Sequence, residues 1–235
     1  ILKKIDRLAR FTAVPVIVYG PTGTGKELLS SLLHLRSARK GKFVSINCAG
    51  LPEDIMESIL FGVKGGVFTG VPDDKKGLVE EAAEGTLFLD EIAEMPLRVQ
   101  AKLLRFLQFK TFRPMGDNEE HRVDARIIAA TNTDLRAKVK KGEFREDLLY
   151  RLAGEEIVLP SLKKRKGDID DIANRYYMEF CLQNGKKSRF LTDEEIEQLK
   201  KYDWPGNIRQ LQRVIRKAVM YDDYNFAKIL KEEDN

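Results

Sequence analysis

Along the first two-thirds of the chain, short apolar runs alternate with stretches whose apolar residues recur at helical spacing. The runs are Val14 to Tyr19, Phe43 to Cys48, Gly85 to Leu89 ending in Asp90-Glu91, Ala125 to Ala130 ending in Thr131-Asn132, and Glu156 to Leu159, stopped by Pro160. Between and before them lie helical patterns: Ile1, Ile5, Leu8 and Ala9 in a lead-in helix, Leu28, Leu29, Leu32 and Leu33 after the first run, and Leu97 to Phe109. In the last, Val99, Leu103, Phe106 and Leu107 share one face and Arg98, Lys102 and Arg105 the other. Strands apolar on both faces, separated by helices, predict a parallel sheet covered on both sides, an α/β fold. Two segments interrupt the alternation: a glycine-flanked apolar tip, Gly65 to Pro72, and a hairpin over Thr111 to Val123 centred on Gly116-Asp117-Asn118. Beyond Pro160 the strands stop, and helices are expected over Asp168 to Leu182, Thr192 to Tyr202 and Asn207 to Tyr221. Thr192 with Glu195 three residues on is a capping box. The expected division is therefore an α/β domain over residues 1–160 and an all-helical domain over 161–235.

Composition changes this picture little. With 43% hydrophobic and 33% charged residues the chain reads as soluble and globular, and no apolar run approaches the roughly 20 residues that span a bilayer. A net charge of +4, from 41 basic and 37 acidic residues, is too small to argue for nucleic acid but suits a polyanion such as ATP. Cys48 and Cys181, far apart and without metal-ligand spacing, point to packing roles in a reduced, cytoplasmic compartment. Without an initiator Met the chain reads as a piece of a longer protein, so DNA would be reached only through a domain absent from it. The basic run Lys163 to Lys166 reads as a solvated linker face.

Chemistry enters at Gly20-Pro21-Thr22-Gly23-Thr24-Gly25-Lys26-Glu27, a glycine loop between a buried strand and a helix. This is the context of a phosphate-binding P-loop, whose N–H groups and following helix face the phosphates while Lys26 reaches the β- and γ-phosphates. The hydroxyl residue expected after the lysine is Glu27 instead. In an open parallel sheet ligands sit at the carboxyl ends of the strands, so Gly20, Asp90, Glu91 and Asn132 should share one crevice. Asp90 would hold Mg²⁺ and Glu91 would orient the attacking water; the bland alternative is that both acids cap the next helix. Asn132 can donate to a γ-phosphate and accept from water, or be a turn residue; Asn47 can hold Glu91, or be an ordinary strand-end polar residue. Arg145 and Arg151 could be supplied to a neighbour's ATP, although pairing with Glu146, Asp147 or Glu155 is favoured by the residues alone. Arg209, in the first turn of its helix, is a cation at the unfavourable end of the dipole, a penalty a phosphate would remove.

In order along the chain, the P-loop, Asn47-Cys48-Ala49, Glu57-Ser58-x-Leu60-Phe61-Gly62, Gly85 to Ile92, Ala130-Thr131-Asn132, Phe144 to Leu152 and Trp204-Pro205-Gly206-Asn207-x-Arg209 resemble the central AAA+ domain of bacterial enhancer-binding proteins, the sigma-54-dependent, NtrC-like transcription activators. The resemblance implies an AAA+ P-loop NTPase with a five-stranded parallel sheet over 1–160 and a small all-α lid over 161–235. It implies Lys26 as the Walker A lysine, Asp90 and Glu91 as the Walker B pair, Asn47 as the glutamate switch, Asn132 as sensor I, Arg145 and Arg151 as trans-acting arginines and Arg209 as sensor II. It also implies a cytoplasmic homo-oligomeric ring, a hexamer or heptamer, that hydrolyses ATP with Mg²⁺ and remodels the sigma-54 RNA polymerase holoenzyme. The tip Gly66-Val67-Phe68-Thr69-Gly70-Val71 would touch sigma-54, with the hairpin beside it. Two valines replace the usual alanines there, which opens an alternative: an ATP-binding regulatory or assembly module that does not productively engage sigma-54.

Overall fold

The computed structural model of the protein describes residues 2–66 and 73–233. The chain divides into two compact units, Ile1–Tyr19 with Lys26–Val158, and Gly20–Gly25 with Leu159–Asn235.

The first unit is built on β1 (Val16–Tyr19), β2 (Phe43–Asn47), β3 (Thr86–Asp90), β6 (Arg126–Thr131) and β7 (Glu155–Val158), all parallel, in the order β2-β3-β6-β1-β7. Its helices are α1 (Leu2–Arg10), α2 (Lys26–Leu35), α3 (Glu53–Phe61), α4 (Leu78–Glu81), α5 (Leu97–Phe109), α6 (Leu135–Lys140) and α7 (Glu146–Leu152). Because side chains alternate along a strand, Ile17, Leu87, Leu89, Ile127 and Ala129 join one core with Met56, Leu60, Val99, Leu103, Phe106, Leu148 and Leu152. The intervening Val16, Val18, Phe88, Ile128 and Ala130 are buried on the other face, where α2 packs. Burial on both faces is why these strands read as continuous apolar runs rather than alternating ones. The fully buried Arg126 donates from Nη2 to the Leu8 carbonyl at 2.9 Å and fastens α1 at the start of β6.

The expected hairpin forms as two very short antiparallel strands, β4 (Thr111–Phe112) and β5 (His121–Arg122), outside the main sheet. Strand β7 lies one residue earlier than expected, since ladder pairing with β1 begins at Glu155 whatever its polarity. Bridges from Val63 to Lys75 and to Met115 form the base of the apolar tip. Of the tip itself Gly65 and Gly66 are described, the latter at φ +82°; Val67, Phe68, Thr69, Gly70, Val71 and Pro72 lie outside the described residues.

In the second unit α8 (Ile169–Gln183), α9 (Asp193–Lys201), α10 (Asn207–Tyr221) and α11 (Phe226–Glu233) enclose Ala173, Tyr177, Trp204, Leu211, Ile215, Ala218, Phe226 and Ile229. The Trp204 indole donates to the Leu199 carbonyl at 2.8 Å, so its one polar atom is satisfied in the core. The capping box of α9 is complete, with Thr192 Oγ1 accepting from the Glu195 N–H and Glu195 Oε2 accepting from the Thr192 N–H. Among the described residues no helix is long and apolar enough to cross a membrane.

Candidate active site

Parallel pairing of β1 with β6 and of β6 with β3 sets their carboxyl ends side by side. Tyr19, Asp90 and Thr131 thereby end neighbouring strands, and the residues that follow converge. Lys26, the first residue of α2, is only 7% exposed, and its Nζ lies 3.7 Å from Glu91 Oε1. The Asn132 N–H donates to Glu91 Oε2 at 3.4 Å. A buried ammonium at the positive end of a helix dipole is unfavourable unless an anion faces it, and here one carboxylate does.

Glu91 holds a left-handed backbone, φ +49° and ψ +48°, which costs an L-residue about 1–2 kcal/mol. Its side chain makes no capping bond to the 3₁₀ turn Ile92–Glu94, so the helix-cap explanation fails for this residue. Asp90, beside it at the strand end, accepts the Glu91 N–H on Oδ1 at 3.0 Å. Asn47 stands opposite Asp90 across the β2–β3 ladder, but its amide oxygen accepts the Ala49 N–H at 2.8 Å, a local turn. The Asn132 amide oxygen likewise accepts from the Thr133 hydroxyl at 2.9 Å. Cys48 is fully buried, and burial together with the Asp90 and Glu91 charges pushes its thiol up to about 12, consistent with a packing role.

The two arginines of the α7 region make local bonds. Arg145 grips Asp147 with Nε and Nη2 at 3.0 and 2.7 Å, and Arg151 donates to the Leu107 carbonyl at 3.2 Å. The intrachain pairing with Asp147 weighed from sequence is therefore present.

Within the second unit, Gly23 and Gly25 of the glycine loop adopt φ +78° and +95°. The Thr24 hydroxyl donates to the Pro21 carbonyl at 2.8 Å and closes the turn. Three carbonyls of the loop are bonded from outside it: Thr22 O by Asn207 Nδ2 at 2.9 Å, Gly23 O by the Ile208 N–H at 2.9 Å, and Thr24 O by Arg165 Nη2 at 2.7 Å. The basic run expected to be a solvated face thus sends one member, Arg165, inward; the sequence gives no sign of it, because its partner lies 141 residues away. Arg209, exposed in the first turn of α10, lines a cleft of about 800 Å³ with Thr22, Pro205, Gly206, Gln210, Gln212, Arg213 and Arg216. No lining residue is acidic, so the cleft suits an anion.

These features fit a nucleoside polyphosphate. A Cβ on Gly23 would lie 2.5 Å from the Gly206 carbonyl, so the cradle admits only glycine there. The one carboxylate that ends strand β3, Asp90, is a hard oxygen donor of the kind Mg²⁺ takes alongside phosphate oxygens. Glu27 is exposed in the first turn of α2, a position where the dipole favours an acid.

Residues 1–158 match the sigma-54 interaction domain and residues 163–232 the AAA+ ATPase lid domain. The regulatory protein AtoC of Escherichia coli is 47% identical over 220 residues, which cover 93% of this chain and 47% of AtoC. The transcriptional regulator VasH of Vibrio cholerae is 48% identical over 201 residues, covering 85% of this chain and 38% of VasH. Thus the chain spans half or less of the length of these curated relatives. Crystal structures of NtrX from Brucella abortus in complex with ADP and with ATP superpose with TM-scores of 0.87 and 0.84 at 34% identity, covering 97% and 94% of this chain and 51% and 50% of NtrX. At 20% identity, Hsp104 shares the fold, with a TM-score of 0.66 over 88% of this chain and 40% of that one. By its matched domains, its relatives and its five-stranded parallel sheet, the chain belongs to the sigma-54 interaction domain family of AAA+ ATPases.

Proposed function

We propose that the chain hydrolyses ATP and uses the turnover to remodel sigma-54 RNA polymerase for promoter opening. The observation that carries the hydrolytic half is the meeting of Lys26, Glu91 and Asn132 at the strand ends, with the glycine loop leading into Lys26. The family match over residues 1–158 supports the sigma-54 half.

In this reading the loop Gly20 to Gly25 cradles the phosphates, with backbone N–H groups such as those of Gly23 and Gly25 as donors, and Lys26 exchanges Glu91 for phosphate oxygens when nucleotide arrives. Asp90 would hold Mg²⁺, which when bound would supply screening of the phosphate charge. Released from Lys26, the Glu91 carboxylate orients a water and accepts its proton, while Asn132 senses the terminal phosphate. Asn47 restrains Glu91 after giving up its bond to Ala49. Arg209 meets the phosphates from the α10 side. Arg145 and Arg151 act on a neighbour's nucleotide in a hexameric or heptameric ring, after leaving Asp147 and the Leu107 carbonyl. The segment Gly66 to Val71 contacts sigma-54; residues 1–160 and 161–235 form the nucleotide-binding and lid subdomains, the protein is cytoplasmic, and DNA is bound by another domain.

The test is open-complex formation at a sigma-54 promoter with purified holoenzyme. Opening with ATP and none with a non-hydrolysable analogue is expected. Intact hydrolysis without opening would sink the sigma-54 half and leave the uncoupled ATP-binding module.

A further inference from the structure

The carbonyls of Thr22, Gly23 and Thr24 are consecutive, and each is taken by a different kind of donor: a side-chain amide, a backbone N–H and a guanidinium. In a trans peptide the N–H points opposite to the carbonyl of the preceding residue. Fixing the Thr22 and Thr24 carbonyls therefore aims the N–H groups of Gly23 and Gly25 to the other side of the loop.

Both side-chain donors are held firmly. Asn207 is 2% exposed and sits at φ +53°, a left-handed conformation that asparagine tolerates better than most residues. While Nδ2 donates to Thr22, its Oδ1 accepts the Leu162 N–H at 2.8 Å, so one side chain ties the start of α10, the loop and the 3₁₀ segment Leu162–Asp168. Arg165 leaves helical geometry inside that segment, at φ −137° and ψ 49°, and this kink accompanies its bond to Thr24. Its Nε is buried without a hydrogen-bond partner among the described residues, and burial lowers the guanidinium's pKa. A cation kept there at that cost, bonded to a loop carbonyl and 3.8 Å from Asp168, is a poor linker residue and a good brace.

We infer that Arg165 and Asn207 are positioning residues for phosphate binding, acting through the backbone of the glycine loop rather than on the phosphates themselves. The inference rests on the nucleotide reading of that loop. It makes the loop's phosphate-facing side dependent on two residues 141 and 185 positions away in sequence.

The experiment compares ADP and AMP affinity, by calorimetry and competition, in wild type, Arg165→Met, Arg165→Lys and Asn207→Gly, with thermal melting as a fold check. Glycine accepts the backbone of position 207 while removing both side-chain bonds. Arg165→Met and Asn207→Gly should each weaken ADP by about ten-fold or more, the effect of losing a charged or buried hydrogen bond, and AMP by less than about two-fold. Arg165→Lys, which keeps the charge and one donor, should recover part of the loss. Unchanged ADP affinity in the folded variants, or equal loss for AMP and ADP, overturns the proposal. If Arg165→Met does not fold, unchanged ADP affinity in Arg165→Lys and Asn207→Gly overturns it equally. Failure of the wild type itself to bind ADP would defeat the nucleotide reading, and the inference with it.

Discussion

Replacing Gly23 by alanine puts a number on the cradle. At φ +78° an L-residue costs about 1–2 kcal/mol more than glycine. The added methyl would also stand 2.5 Å from the Gly206 carbonyl oxygen and 3.2 Å from Arg209 Cβ, the former well inside the ~3.5 Å at which non-bonded heavy atoms attract. Overpacking of this kind costs about 1–3 kcal/mol, for a sum of about 2–5 kcal/mol. Domain stabilities are about 5–15 kcal/mol, so the fold should survive and the loop should leave its place. At 1.4 kcal/mol per decade, nucleotide affinity falls roughly 30- to 4,000-fold. Calorimetric titration with ADP, beside urea unfolding, reads both quantities. Gly142→Ala is the control: φ +72° with nothing within 4 Å of the new methyl, hence strain without collision, a small loss of stability and unchanged ADP affinity. ADP binding by Gly23→Ala within about three-fold of wild type would refute the reasoning, because strain alone exceeds that.

Three further outcomes are expected. Glu91→Gln keeps the shape but not the proton acceptor, and should lower ATP turnover by about 10²- to 10⁴-fold in a phosphate-release assay with ADP binding retained; turnover near wild type would assign the water to another group. The Arg189 guanidinium, bonded to Glu195 by two contacts at 2.6 and 2.7 Å, holds that carboxyl below its ordinary range, so the stabilisation is present above the unfolded value of about 4.3 and is lost as pH falls through the native one. The stability gap between wild type and Glu195→Gln in urea unfolding should therefore be full at pH 7 and close in acid; a gap constant with pH contradicts it. Mixing Arg151→Ala with Lys26→Ala, each inactive alone, should restore part of the ATPase if the arginine is supplied in trans, whereas absence of rescue in mixed oligomers verified by sedimentation counts against it.

Much of the first unit was legible because its strands are buried on both faces and punctuated by glycines and acids. Even the edge strand β2, with Phe43, Val44 and Ile46 half-buried and Ser45 and Asn47 exposed, showed in Phe43-Val44-Ser45-Ile46. Helix α11 escaped notice although Phe226, Ile229 and Leu230 carry the helical spacing and fill the second core; the signal is short and follows a polar turn. Helix α3 begins after Pro52 with no side-chain cap, so its start had no marker beyond the proline. At the site, Gly20, Asp90, Glu91 and Asn132 were expected together because parallel-sheet topology brings strand ends to one edge; among them Glu91 and Asn132 do meet, and Lys26 joins them. What could not be read was conformation and long-range bonding: the local turns that occupy Asn47 and Asn132, the left-handed backbone of Glu91, and the donors behind the loop.

The central claim, that nucleotide chemistry in this chain is coupled to sigma-54, is tested most directly by trapping the chain with ADP and a phosphate transition-state mimic and resolving the mixture with sigma-54 on a native gel. A slow-migrating complex containing both proteins, formed by wild type and absent with Lys26→Ala, is predicted. An intact ATPase that forms no such complex at saturating mimic would contradict the account.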